Sequence, residues 1–418
     1  MLKQLASELI KELESNGYEA FFVGGCVRDW LMNRPVHDID ICTNAHPCDV
    51  SRIFPNHIPT GLKHGTISVK HGGHLFEVTT YRTEGKYSDN RRPDEVMFVA
   101  DLTEDLARRD FTMNAIAMSR TGEVIDPFNG QSDLDKKIIR AVGDPATRFQ
   151  EDALRLLRAV RFAAQLGFTI EEKTKQGMEV TAVYLSRIAM ERIRDEVLKM
   201  FASDYPLLGF ETVNKTSLLQ VFPLLHNLFQ MAESQVWRLV HVPSIQQKVA
   251  FVCFAGLKDQ AAADTETICQ FIRLSNKDRD SITNLVTILS RLKPVWDHPH
   301  SIEWGPLLVK YGQVVCEQVD VILQAIWWRN RDGLSTKRLT ETYQEMPIHH
   351  LKELAISGLE LQQAFDRKKG EWIGCTLHYL VEQVALHHLP NTPEELLMAA
   401  RKEVEKNEHQ TGDIEGVS

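Results

Sequence analysis

Near residue 144 the apolar pattern of this chain changes character: short, strand-length runs separated by glycine turns give way to helical spacing that persists to about residue 400. Such a change dictates two architectures on one backbone, a sheet-bearing head followed by a long helical body. The fold class expected is therefore α+β. At roughly 100 to 200 residues per domain, the 418 residues leave room for two to four packed units.

Within the head, residues 3–15 carry apolar side chains at helical spacing, and Asn16-Gly17 supplies a stop signal. Residues 18–23 form an apolar, aromatic run of strand length that halts at Gly24-Gly25, and residues 26–32 resume helical character. The chain thus opens as strand, glycine turn, helix. Residues 39–42 predict a second short strand. Residues 67–70 and 75–81 flank His71-Gly-Gly-His74 as a hairpin, and residues 115–118 and 123–125 flank Thr121-Gly122 as another. These predict a small mixed sheet, closed by Asp126-Pro127, in a domain ending near residue 138. Residues 82–97 are polar, hold Gly85 and Pro93, match neither period and are expected to be a mobile loop. Beyond them, residues 149–166, 171–189 and 191–201 predict helices, and no strand template matches.

Several function classes fall away on composition. Lys plus Arg total 48 against 57 Asp plus Glu, a net charge of −9, which is the wrong sign for coating nucleic acid through a bulk field; a polyanion must meet a local basic groove. The longest wholly apolar run, residues 249–257, is about half of the ~20 residues a bilayer span needs. Seven scattered cysteines without a CxxC pair fit neither a disulfide framework nor a zinc finger and read as reduced thiols. The amino-terminal residues lack the order of a secretory leader, and Glu8, Glu12 and Glu14 disfavour a transit peptide, so a cytosolic protein is expected.

Asp38 and Asp40 stand two apart at the start of a predicted strand, where the period of two puts both carboxylates on one face. Hard oxygen ligands so placed suit Mg²⁺, which takes one or two carboxylates and leaves its other positions to water and substrate phosphates. Glu77, in the neighbouring strand, offers a third carboxylate. An isolated Asp-x-Asp is more often a solvated turn. Upstream, however, Gly24 and Gly25 let a backbone approach closely while the following helix offers free N–H groups to an anion, and Arg28 in that helix can clamp phosphate oxygens.

The string Gly24-Gly-Cys-Val-Arg28-Asp29 followed by Asp38-Ile-Asp40 resembles the signature of class II tRNA nucleotidyltransferases, the CCA-adding enzymes, and their poly(A) polymerase relatives. Arg108-Arg109-Asp110-Phe-Thr-Met-Asn114-Ala is similar to that family's ribose-recognition motif, Glu151-Asp152-Ala-Leu-Arg155-Leu-Leu-Arg158 to its nucleotide-selecting helix, and Glu191-Arg192 to its supporting helix. The likeness spans about residues 18–200. It implies a nucleotidyltransferase head over residues 1–138, a neck over 139–200, a body over 201–290 and a tail over 291–405; the acidic, polar end over 406–418 is expected on composition to be disordered. It implies CTP and ATP as substrates, tRNA as partner and Mg²⁺ as cofactor. Asp38, Asp40 and Glu77 would be catalytic, with Asp38 and Asp40 as metal ligands. Gly24, Gly25, Arg28, Arg109, Asp110, Asn114, Asp152, Arg155, Arg158 and Arg161 would bind nucleotide, with Arg161 alternatively holding RNA.

The selecting residues also make chemical sense. Cytosine presents an amino donor beside a ring acceptor and adenine presents N6-H₂ beside N1, whereas uracil and guanine present a carbonyl beside an N–H. Asp152 can accept from the amino group, and Arg155, three residues on and expected next to it on one helix, can donate to the ring acceptor. Acids and bases at this spacing also decorate any salt-bridged helix surface.

Two aromatic-basic stretches, Trp327-Trp328-Arg329-Asn-Arg331 through Lys337-Arg338 and Arg367-Lys-Lys369-Gly-Glu-Trp372, fit an RNA backbone or, equally, core tryptophans beside a solvated face. The histidines show no HExxH spacing, and His-Asp occurs only at His37-Asp38, giving no sign of an appended HD phosphohydrolase domain. The loop Tyr87-Ser-Asp-Asn-Arg-Arg-Pro93 is full length where CC-adding relatives are shortened, and Asp105-Leu-Ala-Arg-Arg-Asp110 resembles the CCA-adding type. Complete CCA addition is therefore expected, with poly(A), A-adding or CC-adding activity, a non-catalytic RNA-binding protein or a small-molecule nucleotidylyltransferase as alternatives.

Overall fold

The computed structural model describes residues 1–85, 96–257, 260–295, 301–326 and 334–412. It divides into two compact units, Met1–Arg279 and Asp280–Ser418.

In the first unit, α1 (Leu2–Ser15) buries Ala6, Leu9, Ile10 and Leu13, the i, i+3, i+4, i+7 stripe of an amphipathic helix. Then follow β1 (Ala20–Val23), α2 (Gly25–Leu31), β2 (Asp40–Thr43), α3 (Pro47–Ile53), β3 (His57–Gly61), β4 (Thr66–His71), β5 (His74–Thr80), β6 (Arg82–Glu84), β7 (Val96–Phe98), α4 (Leu102–Ala107), β8 (Ala117–Met118), β9 (Val124–Ile125), α5 (Gly130–Asp135) and β10 (Ile138–Ile139). Among the described residues, seven of these strands form one sheet in the order β3-β4-β5-β2-β1-β8-β9. The sheet is mixed: β2 runs parallel to β5 and antiparallel to β1. β2 is its central strand, and the pairing sets Asp40 opposite Val23 on one side and Glu77 on the other. Val23, Cys42, Tyr81, Leu102, Leu106, Ala115, Ala117 and Val142 close a core beneath it.

Four expectations for the first unit need correction. β3 was not anticipated, because Pro59 and Gly61 argue against a strand; β3 lies at the sheet edge, where a proline costs no ladder hydrogen bond. Residues 82–97 are not loop throughout, since β6 and β7 pair antiparallel as three-residue strands too short to show a period; residues 86–95, with all of the loop from Tyr87 to Pro93, lie outside the described residues. Beyond residue 144 there is a strand after all: β11 (Thr169–Ile170) runs parallel to β10, and two residues carry no periodic signal. The helix expected over residues 149–166 is two, α6 (Pro145–Glu151) and α7 (Leu154–Leu166), parted by Asp152 in an extended conformation (φ −135°, ψ 103°). An Asp is at home in such a break, where its carboxylate can accept from the next helix's N–H groups.

Helices α8 (Glu172–Thr181) and α9 (Met190–Phe201) complete the surround of the site, α9 packing on α7 and α8 on α6. A polar lock ties this region to the sheet. Asp133 accepts from Thr112 Oγ1 at 2.7 Å and from Arg140 at 3.0 Å, Arg140 also pairs with Glu171, and Thr174 Oγ1 accepts from the Ala141 N–H at 3.1 Å. Farther on, Phe201, Phe210 and Phe229 stack within 4.6–5.8 Å of one another.

The division between units falls within the helix Asn276–Leu292. In the second unit the helices Trp304–Tyr311, Gln313–Ile326, Leu334–Glu345, Gly358–Phe365, Glu371–Ala385 and Pro393–Gly412 follow; the last corrects the expectation of disorder for residues 406–412, since the helix continues through them, and residues 413–418 lie outside the described residues. Buried Asp320 accepts from Ser335 at 2.7 Å and Thr336 at 2.5 Å, tying the second of these helices to the third. A capping box of Ser357 and Glu360 starts the fourth. No described helix is long and apolar enough to cross a membrane.

Gly130 sets the height of the turn Thr112–Asn114 beside the site: a Cβ there would lie 2.3 Å from the Thr112 carbonyl oxygen. Backbone cannot yield as a flexible side chain does. Gly130→Ala is expected to destabilise the first unit by about 1–3 kcal/mol, read as a lower urea midpoint; an unchanged midpoint contradicts this packing.

Candidate active site

Strand β1 ends and α2 begins on Gly24, which has φ 76° and ψ −131°, a conformation open mainly to glycine. Space demands glycine as well, because a Cβ would stand 3.1 Å from Arg109 Nη1 and 3.8 Å from Asp40 Oδ2. The turn, the head of β2, the segment after α4, the α6–α7 break, α7 and α9 enclose a cavity of about 620 Å³. Gly24, Gly25, Arg28, Asp38, Asp40, Arg109, Asp110, Asn114, Asp152, Arg155, Arg158 and Arg161 all line it. Glu77 does not; it remains exposed on β5 beside Asp40.

The lining holds eight cations, since Arg108, Arg192 and Lys199 join the five arginines above, against four carboxylates. A chain of net charge −9 therefore concentrates positive charge at one concave place, as a polyphosphate requires.

Asp110 is the hub. Its carboxylate accepts from Arg158 at 2.6 Å, from Asn114 at 3.0 Å and from the Phe111 N–H at 2.8 Å. Asn114 Oδ1 in turn accepts from Arg28 at 2.8 Å, and Arg28 pairs with Asp29 at 2.9 Å. Burial alone would raise the Asp110 pKa, but the Arg158 guanidinium and the hydrogen bonds from Asn114 and Arg158 hold it well below the usual carboxylate range. Arg109 is tied to the buried Asp105 at 3.1 Å, and Arg108 pairs with the same carboxylate at 2.8 Å. The Arg109 Nε is buried without a hydrogen-bond partner.

Asp152 and Arg155 reach the cavity differently from expectation. Asp152 lies between helices rather than on one; its carboxylate accepts from the Leu154 N–H at 3.0 Å and pairs with Arg192 of α9 at 2.8 Å. Arg155 is paired not with Asp152 but with Glu151 at 2.6 Å, and it donates to the Arg108 and Arg148 carbonyl oxygens at 3.0 Å each. Each member is thus held by its own partners, and neither charge consumes the other. Arg161 is bound to Glu196 at 2.5 Å.

Sequence reasoning did not single out Phe162 or Lys199. Buried Phe162 has the guanidiniums of Arg28, Arg158 and Arg161 over its ring at 5.2, 5.4 and 4.1 Å, so the negative face of one ring lies among three like charges. Its signal, an aromatic inside an arginine-rich helix, is indistinguishable from core. Lys199 follows Arg192 by two helical turns on α9, and that spacing could have found it. Of the two aromatic-basic stretches, residues 327–333 lie outside the described residues. In the other, Arg367 stands over Trp372 at 5.3 Å and Phe365 packs 5.5 Å from Trp372 at the surface.

The carboxylates that could hold a metal are strained against one another. Burial first, then Glu77 and Asp38, push the Asp40 carboxyl up to about 6 while Arg109 opposes them. A divalent cation relieves that repulsion, and two carboxylates facing a phosphate-sized cavity match a cation that fills its remaining positions from water and substrate. Among the described residues no three His, Cys, Asp or Glu side chains converge as a complete protein cage.

Residues 20–140 match the family described as "Poly A polymerase head domain", 167–229 the one described as "Probable RNA and SrmB- binding site of polymerase A", and 241–400 the one described as "tRNA nucleotidyltransferase domain 2 putative". A CCA-adding enzyme of Lactiplantibacillus plantarum is 37% identical over 417 residues, 97% of this chain and 98% of its own length. One from Geobacillus sp. (strain WCH70) is 39% identical over 388 residues, 92% and 93% of the two chains. The chain belongs to the CCA-adding enzyme family. The crystal structure of Bacillus stearothermophilus CCA-adding enzyme in complex with CTP superposes with a TM-score of 0.85 at 31% identity, covering 97% of this chain and 98% of that one. A Thermotoga maritima CCA-adding enzyme complexed with tRNA, 21% identical with a TM-score of 0.63, shares the fold. Membership implies a divalent metal at the head.

The Asp110 hub carries a pH signature. Its folded pKa lies below the unfolded value of about 3.9, so its stabilising contribution is fully present above that value and is lost as pH falls through and below it. Asp110→Asn is expected to cost about 1.5–3 kcal/mol at pH 7, with the gap to the parent narrowing below about pH 4. Urea denaturation across pH 3–8 checks this, and a gap that stays constant down to pH 3 contradicts it.

Proposed function

We propose that this protein adds C, C and A in turn to the 3′ end of tRNA without a nucleic-acid template, using CTP and ATP with Mg²⁺ and releasing pyrophosphate. The observation that carries the reading is the convergence of the glycine turn, the Asp38/Asp40 pair and the separately anchored Asp152 and Arg155 on one basic cavity. Support comes from relatives named CCA-adding enzymes that match over nearly the whole chain.

Gly24 and Gly25 at the start of α2, with Arg28, take the triphosphate; Arg158 and Arg161, oriented by Asp110 and Glu196, line its path as hydrogen-bond donors. Arg109 donates and Asp110 accepts at the ribose hydroxyls, and Asn114 keeps Asp110 in place. Asp152, held in place by Arg192, accepts from the exocyclic amine of cytosine or adenine, while Arg155 donates to the adjacent ring nitrogen. Uracil and guanine would set acceptor against acceptor and donor against donor, losing the hydrogen bonds to the base and adding like-dipole repulsion. Asp38 and Asp40 hold Mg²⁺, with Glu77 contributing its charge from the adjacent strand. When bound, the ion supplies Lewis acidity at the α-phosphate and lowers the pKa of the attacking 3′-hydroxyl. No covalent enzyme intermediate is needed, and the one thiol at the turn, Cys26, is pushed up to about 11 by burial.

The neck over residues 139–200 would complete the nucleotide site, and the body and tail over residues 201–290 and 291–405 would measure the tRNA. Free thiols at all seven cysteines fit a reducing, cytoplasmic setting.

The test incubates the purified chain and Mg²⁺ with tRNA transcripts ending before the first C, after the second C, or complete, with each NTP alone and together. One CCA and then arrest is the expected outcome. Long A tracts indicate a poly(A) polymerase, two C residues alone a CC-adding relative, a single A an A-adding one, and no incorporation a binding protein. Asp40→Asn is expected to abolish incorporation while leaving CTP binding detectable by equilibrium dialysis, and retention of parental turnover contradicts the role of Asp40.

A further inference from the structure

A second cavity of about 420 Å³ adjoins the first, sharing Arg161 and Lys199 and adding Arg34, Gln165, Ser203 and Asp204. Its charges are not balanced. Arg161 is neutralised by Glu196, and Asp204 lies in the field of the buried Lys248. Among the described residues no carboxylate pairs with Arg34 or Lys199, although both face the cavity. Two uncompensated cations at the edge of a nucleotide site call for an anion that the nucleotide itself does not supply.

We propose that this second cavity is a phosphodiester subsite, holding the RNA backbone just behind the 3′ end that accepts the nucleotide; the inference rests on the function proposed above. Distance favours RNA over the outer phosphates of the NTP. α2 starts at the glycine turn, and Arg34 follows its C-terminal end, so seven helical residues carry Arg34 about 10 Å away from that turn. Charge favours RNA as well. A phosphodiester carries one negative charge, which Arg34 and Lys199 can clamp, whereas a terminal phosphate or pyrophosphate brings several charges against Asp204. Arg161, between the two cavities, would touch both the incoming nucleotide and the strand it joins.

Arg34 and Ala202 line only the second cavity and make the clean probes. Fluorescence anisotropy with labelled tRNA lacking CCA, without nucleotide, on the full chain reads affinity independently of catalysis. Arg34→Ala is expected to weaken the tRNA Kd about 3–10-fold at low salt and to lower the slope of log K against log salt by about 1. Ala202→Asp, which removes no contact but adds a negative charge, is expected to weaken it similarly, while the KM for CTP of either variant stays within about twofold of the parent. Circular dichroism and thermal melting confirm that both variants are folded. An unchanged tRNA Kd in both, or a raised CTP KM with tRNA binding intact, overturns the subsite, the latter assigning it to the triphosphate. A parent that binds tRNA through Arg34 yet incorporates nothing retires the proposed function and leaves the subsite standing.

Discussion

The ion pair between Asp110 and Arg158 joins two pieces of chain 48 residues apart, one emerging from the sheet domain and one on the first long helix beyond it. A buried carboxylate would not remain charged unaided; Arg158, Asn114 and the Phe111 N–H together make the charged form the stable one. Once formed, the pair determines where everything else stands. Through Asn114 it fixes Arg28 beside the glycine turn, and through α7 it brings Phe162 under three guanidiniums. Among the eight cations and four acids of the cavity, Asp110 neutralises Arg158 and Asp152 neutralises Arg192.

The same logic explains the break at Asp152. A continuous helix from Pro145 to Leu166 would bury the Asp152 backbone in a ladder and set its carboxylate against the helix surface. Broken, the chain frees that carboxylate to accept from the Leu154 N–H and to pair with Arg192, while Glu151 keeps Arg155. Two charges of opposite sign then face one cavity without collapsing on each other. That separation leaves the two groups unpaired with each other, as reading a base by hydrogen bonds requires.

Much of this was legible in the sequence, and the exceptions have physical causes. The strand, glycine turn and helix at residues 18–32 were readable because Gly24 and Gly25 interrupt a sharp change of period, and both hairpins announced themselves through glycine pairs or Thr121-Gly122. Twelve of the thirteen residues expected at the site line the cavity, because motifs in order constrain one another more than any does alone. Glu77 was placed correctly on its strand but outside the lining, a matter of side-chain reach that spacing does not encode. β3, β6, β7 and β11 escaped because they are two to five residues long or carry proline, and pairing rather than propensity creates them. The break between α6 and α7 escaped because Asp152 and Ala153 are both tolerated within helices, and its main partner, Arg192, is forty residues away. Phe162 and Lys199 look in sequence like a core aromatic and a surface lysine.

The proposal that protein side chains stand in for a template base is open to a single comparison. Steady-state kcat/KM for CTP, ATP, UTP and GTP is measured on one tRNA acceptor with the parent chain and with Asp152→Ala/Arg155→Ala, after thermal melting shows both folded. Loss of discrimination against UTP and GTP by about a hundredfold or more is predicted. Parental selectivity at a uniformly lower rate would contradict it, and base choice would then have to lie elsewhere in the cavity.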